Sequence, residues 1–301
     1  MVSLKSTFNL FFGCCLSAFL MEIMISKNPN CANLVTFLQF LCITLHGLLK
    51  IKHKVFTPKI PLGQYFVLIS LFFVTSVANN FVYALHVAST LHMIIRSASS
   101  PASMLVAWFV KNRVPKVNAI IGSVIISSGV TIAMYGGAKI IEEETKFLHW
   151  CIGVVILLTT LITGAFTGLQ QERLYATYGK FPEEMLFYTH AIPLPLFLII
   201  MPELGAIALS LPSYLWYILV LNIIAQFYCA NSVHILGTKE SSVTVTFILT
   251  VRKFVSLIIS SVVFKNSLTI YHVVGTVLVV IGTYFYFFVN KQQPLSSSKK
   301  K

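Results

Sequence analysis

The chain has 301 residues, 56% of them hydrophobic and 10% charged, against roughly 25% charged in a soluble domain. Such a chain is integral to a membrane rather than built around a large soluble core. Its net charge of +13 is spread over short loops, where basic residues orient a membrane protein, and this argues against a nucleic-acid partner.

Apolar windows cut at charges and at Pro/Asn/Gly clusters predict about ten helices, near 6–25, 33–49, 64–85, 90–110, 117–137, 148–170, 185–202, 213–235, 241–264 and 270–289. The first run, Phe8–Ile25, has only Lys5 before it and no clean small-x-small cleavage site, so it reads as a membrane helix rather than a signal peptide. The fold class expected is an all-α polytopic membrane protein. With the N-terminus in the cytosol, fifteen Lys and Arg fall in cytosolic segments, and only Lys27, Lys139, Lys146 and Lys265 fall on the other side. That asymmetry predicts two cytosolic termini and an even number of spans.

Three cations escape this pattern. Arg96 lies in the fourth span, and Arg252 and Lys253 lie in the ninth. A charge at bilayer depth costs at least ~2.5–3.5 kcal/mol on insertion scales, so such residues usually line a cavity or pathway. Both sites are positive, with no obvious acid beside them, which points to an anionic cargo. Arg offers a planar fork for phosphate and Lys a compact charge. Adjacent residues on a helix point about 100° apart, so at least one of Arg252 and Lys253 is expected to face the cavity. The run Ser97-Ala-Ser-Ser-Pro101 after Arg96 predicts a narrow, kinked span.

The chain repeats itself weakly. Lys111-Asn112, Gly122 and Gly129 recur as Lys265-Asn266, Gly275 and Gly282, and Arg96 has Arg252 as its counterpart. Five spans per half is an odd number, so the halves would be inverted relative to each other, as in many secondary transporters. The expected division is a first five-helix repeat over 1–140, a second over 141–290 and a cytosolic basic tail over 291–301. The glycines spaced by seven in the fifth and tenth spans read as close helix packing.

Other polar residues admit two readings. Glu22 and Glu172 lie towards the ends of their spans. They fit interfacial ion pairs, or the intramembrane acid that a proton-coupled exporter of organic cations requires. Asn79, Asn80, Asn222 and Gln226 fit interhelical hydrogen bonds or contacts to a base or sugar. Tyr188 and His190 fit packing or ligand contacts. Six cysteines (Cys14, Cys15, Cys31, Cys42, Cys151 and Cys229) show no CxxC or Cys/His spacing and read as small apolar packing residues. No nucleophile motif, P-loop or HExxH is present, so no enzyme, metal or cofactor is expected.

Several segments are familiar: Phe12-Gly-Cys-Cys15, Asn33-Leu-Val-Thr-Phe-Leu-Gln-Phe40, Leu91-His-Met-Ile-Ile-Arg-Ser97, Leu186-Phe-Tyr-Thr-His-Ala-Ile-Pro-Leu-Pro195 and Val251-Arg-Lys-Phe-Val-Ser-Leu257. Over about 8–289 the chain resembles the nucleotide-sugar transporters, most of all the UDP-N-acetylglucosamine/UDP-xylose branch. Its loop between the fifth and sixth spans is short for that branch. The resemblance implies ten helices and exchange of cytosolic nucleotide sugar for lumenal nucleoside monophosphate across a Golgi or endoplasmic-reticulum membrane. Arg96, Arg252 and Lys253 would then neutralise a diphosphate in a central cavity between the halves, with Asn79, Asn80, Tyr188, His190, Asn222 and Gln226 as lesser candidates for base or sugar. The partners expected are nucleotide sugar, nucleoside monophosphate and membrane lipid, with a homodimer left open. Two alternatives stand beside this: the cation exporter using Glu22, and a non-transporting scaffold for glycosyltransferases.

Overall fold

A computed structural model describes residues 4–28, 31–52, 57–84, 95–112, 114–136, 147–263 and 270–287. Among these residues the regular elements are all helical: α1 (Leu4–Lys27), α2 (Ala32–Ile51), α3 (Leu62–Ala84), α4 (Ser99–Lys111), α5 (Val117–Gly136), α6 (Phe147–Tyr178), α7 (Pro182–Ala191), a 3-10 helix (Leu194–Ile200), α8 (Met201–Ser210), α9 (Ser213–Gly237), α10 (Ser242–Val263) and α11 (Ile270–Phe287). Within the described residues, five stretches are long and apolar enough to cross a membrane, and shorter apolar helices accompany them. The protein is an all-α polytopic membrane protein.

The expected spans and the observed helices differ in three places. α6 has 32 residues, running past the charges where a span was expected to stop. Its end is set by Gly179, whose φ of +107° is the left-handed geometry that terminates helices at glycine. The seventh span is broken into α7, the 3-10 turn and α8, because Pro193 and Pro195 supply no amide to a continuous helix. The fourth span is interrupted near the expected kink. A helical turn at 95–97 ends at Ala98, and α4 starts afresh at Ser99. Pro101 therefore sits in the first turn, where a missing N–H leaves no gap. The start of that span (90–94), the acidic run Glu142–Glu144 and the basic tail lie outside the described residues.

The chain forms two compact units, one from Met1–Phe73 and Leu169–Val245, the other from Val74–Gly168 and Thr246–Lys301. Each draws on both halves of the sequence.

In the first unit, α1 packs closely on α9. A Cβ at Gly13 would lie 2.9 Å from the Cys229 amide nitrogen. Next to it a disulfide joins Cys14 and Cys229, so these two cysteines are a covalent tie rather than packing residues. The carboxylate of Glu184, in the first turn of α7, accepts the Lys59 and Ile60 amides at 3.1 Å and the Tyr65 hydroxyl at 3.0 Å. This staples the approach to α3. Glu184→Ala removes the acceptor of all three donors. It is expected to cost about 1–3 kcal/mol, read as a lowered melting temperature in detergent, with Glu184→Gln losing less. An unchanged melt for Glu184→Ala would remove the staple.

In the second unit, α5 packs on α11 through glycines. A Cβ at Gly122 would lie 2.7 Å from the Gly282 carbonyl oxygen, and one at Gly129 would lie 2.9 Å from that of Gly275. Moving forward by seven on α5 moves back by seven on α11, so the helices are antiparallel. Phe247 of α10 stacks on Tyr286 of α11 at 3.7 Å.

Candidate functional site

Arg96 stands on the short turn before α4, and Arg252 and Lys253 stand side by side on α10. All three line one cavity of about 250 Å³ in the second unit, with Thr75, Ser99, Thr160, Leu161, Gly164, Ala165, Thr246, Leu249. Both members of the adjacent pair face it, more than the sequence demanded. Among the described residues the lining thus holds three positive side chains, four hydroxyls and no carboxylate. Such a surface favours an anion and can supply hydroxyl donors to its oxygens.

The hydroxyl lining was not foreseen, although the spacing carried a signal. Thr246, Leu249 and Lys253 are spaced i, i+3, i+7 on α10, and Thr160 and Gly164 are spaced i, i+4 on α6, so each set shares one helix face. Thr75 donates to Thr163 at 2.8 Å, tying α3 to α6 beside the cavity.

The turn that carries Arg96 is held from the side by α5. Ser127 donates to the Ser97 carbonyl at 3.0 Å, and the Ser97 hydroxyl lies 3.1 Å from that of Thr131. Beside the interruption of the helix, a side chain thus donates to the Ser97 carbonyl.

The lesser candidates lie elsewhere. Asn222 is fully buried in the first unit. Its amide accepts from Gln39 at 2.6 Å and donates to the Ser17 carbonyl at 2.7 Å. Ser17 donates to Gln226 at 3.0 Å, so these amides knit α1, α2 and α9 together. Tyr188 is buried against Tyr65 at 4.7 Å and Phe187 at 5.0 Å. His190 sets its ring edge against Phe40 at 4.7 Å, and its Nδ1 donates to the Leu186 carbonyl at 2.8 Å. None of these four lines the cation cavity. Asn79 and Asn80 lie on α3, with side chains outside the described residues.

The two acids also separate. Glu172 accepts the Ser242 amide at 2.9 Å and its hydroxyl at 2.7 Å, capping the start of α10, where a carboxylate complements the helix dipole. Glu22 is exposed on α1. A further cavity of about 190 Å³ in the first unit, lined in part by His46, Gly47, Phe227 and Asn231, carries Lys50 and Glu183 paired at 2.7 Å. Its mixed charge gives it no preference for anions.

The fold and site define a polytopic helical membrane protein with a cation-lined cavity embedded in it. Over residues 3–290 the chain matches the UAA transporter family. It belongs to that family. It is 36% identical to a UDP-xylose and UDP-N-acetylglucosamine transporter of Danio rerio, over 92% of this chain and 91% of that one. It is likewise 36% identical to an endoplasmic reticulum GDP-fucose transporter of Drosophila melanogaster, over 91% and 86%. One crystal structure superimposes with a TM-score of 0.69 at 13% identity, covering 95% of this chain and 98% of that one. That likeness speaks to the fold alone.

Proposed function

We propose that the protein carries UDP-N-acetylglucosamine, UDP-xylose or both into the Golgi or endoplasmic-reticulum lumen in exchange for UMP, with both termini in the cytosol. The observation that carries this reading is the gathering of Arg96, Arg252 and Lys253 around one cavity whose lining, among the described residues, holds no carboxylate. A bound diphosphate offsets the cost of holding three like charges at bilayer depth. An occupied carrier then changes conformation more readily than an empty one, and the result is exchange rather than leak. Driving force comes from the monophosphate that forms in the lumen when the diphosphate released by glycosyl transfer is hydrolysed. The name of the zebrafish relative supports the uridine nucleotide. In this reading the inverted repeat relates the two cation sites. It also exchanges the two glycine contacts, because Gly122–Gly282 maps onto Gly275–Gly129.

A second reading differs only in the base. The Drosophila relative is named for GDP-fucose at the same identity, and cations that hold a diphosphate do not distinguish uracil from guanine. A panel of nucleotide sugars and free monophosphates, scored by thermal shift of the detergent-solubilised protein, tests both readings. Stabilisation by UDP-N-acetylglucosamine, UDP-xylose and UMP, with little from GDP-fucose, is the expected result. Selective response to GDP-fucose would replace the uridine assignment, and silence to every nucleotide would favour a scaffold.

A further inference from the structure

Thr250 lies two residues before Arg252, and Ser99 three residues after Arg96. Their hydroxyl oxygens are 3.2 Å apart. The Thr250 hydroxyl donates to the Thr246 carbonyl at 2.9 Å. A hydroxyl has one proton, so Ser99 is the donor in the contact between them. Thr250 is 1% exposed, which leaves this bond little competition from water. The bond joins the segment bearing Arg96 to the helix bearing Arg252 and Lys253, and Ser99 itself lines the cavity. On the other side, the Ser127 clip fixes the Arg96 turn to α5. This bond thus ties the two cation-bearing segments directly to each other.

We infer that Thr250 is a positioning residue that makes the cavity select nucleoside diphosphates over monophosphates. This rests on the diphosphate reading given above. A diphosphate has two phosphoryl groups and can engage Arg96 and the Arg252-Lys253 pair together, so its hold depends on their spacing. A monophosphate has one phosphoryl group and needs only one of the two sites. Removing the acceptor on Thr250 releases the Arg96 segment and weakens the two-point hold while sparing the one-point hold.

The test measures UDP and UMP affinities of the full-length purified protein as wild type, Thr250→Val and Thr250→Ser. Valine keeps the shape and deletes the hydroxyl, whereas serine keeps the hydroxyl. Thr250→Val is expected to lose about tenfold in UDP affinity, the scale of one hydrogen bond to a charged group, while UMP affinity changes less than about twofold. Thr250→Ser is expected to restore the wild-type ratio. Equal loss for both nucleotides would mark a merely structural role and overturn the inference, as would unchanged UDP affinity or failure of serine to rescue. Wild-type protein that does not prefer UDP to UMP would overturn the diphosphate reading as well, and the two failures are thereby told apart.

Discussion

Arg252→Ala and Lys253→Ala are each expected to abolish UDP-N-acetylglucosamine uptake by UMP-loaded proteoliposomes while leaving insertion and folding intact. A hydrogen bond to a charged group is worth about 1.5–3 kcal/mol net, or about 10–100-fold in affinity. The loss should exceed that range because the phosphate would stay partly uncompensated in a low-dielectric site. Both residues line the cavity, so neither variant leaves the other's contact undisturbed, and the double variant should fall short of the product of the singles. Arg252→Lys keeps the charge but loses the planar fork, and should retain an intermediate rate. Folding is monitored by monodispersity in detergent. Near-normal uptake by both alanine variants would remove the phosphate clamp.

The same assay separates the rival cation exporter. That mechanism would make Glu22→Gln inactive and let a pH gradient drive transport with no nucleotide inside. Under the anion reading Glu22→Gln transports, because the acid is exposed on α1 and is absent from the cavity lining. Glu172 is occupied with the start of α10, so its replacement should register as lost stability before it registers as lost coupling.

What the sequence disclosed follows from what each residue type is free to do in a membrane. Long apolar runs have to be helical, because the bilayer offers backbone groups no partners, and helix existence was legible throughout. Ends were less so. A cut at Glu172 and Arg173 took charge as a boundary, yet α6 continues to Gly179 because backbone geometry, not polarity, stops a helix. Arg96, Arg252 and Lys253 were legible as cavity-lining cations because a buried cation has few cheap solutions. Asn222 and Gln226 were not, since an amide is equally satisfied by a ligand or by Ser17 and Gln39, and spacing does not say which. Thr160 and Thr250 each donate to a carbonyl of their own helix. Such hydroxyls occur on any face of a membrane helix, so only the helical spacing of Thr160 and Thr246 with other lining residues pointed to the polar lining. The tie between Cys14 and Cys229 spans 215 residues and has no local signature at all.

Gly122→Val and Gly282→Val are expected to prevent folding outright. A Cβ at either position would lie 2.7 Å from the partner's carbonyl oxygen, well inside van der Waals contact, and a backbone carbonyl cannot swing aside as a side-chain end can. α5 and α11 would have to separate along their length. Two membrane helices forced apart gain nothing from water, so the packing lost at the seam is not recovered by a looser apolar contact. The stack of Phe247 on Tyr286 would move with α11, carrying the disturbance to the helix that bears Arg252 and Lys253. Gly205 is the control: nothing lies within 4 Å of a Cβ added there, so Gly205→Ala should be neutral or slightly stabilising. Size-exclusion profiles of fluorescently tagged variants read the outcome directly, and a monodisperse Gly122→Val peak matching Gly205→Ala would show that the α5–α11 seam is not the tight contact described. Gly129→Val extends the test to the repeat. Under the inverted repeat proposed above, its contact with Gly275 would be the counterpart of the Gly122–Gly282 contact, so comparable collapse is expected. A mild effect at Gly129 beside a severe one at Gly122 would mean that the two contacts are not equivalent.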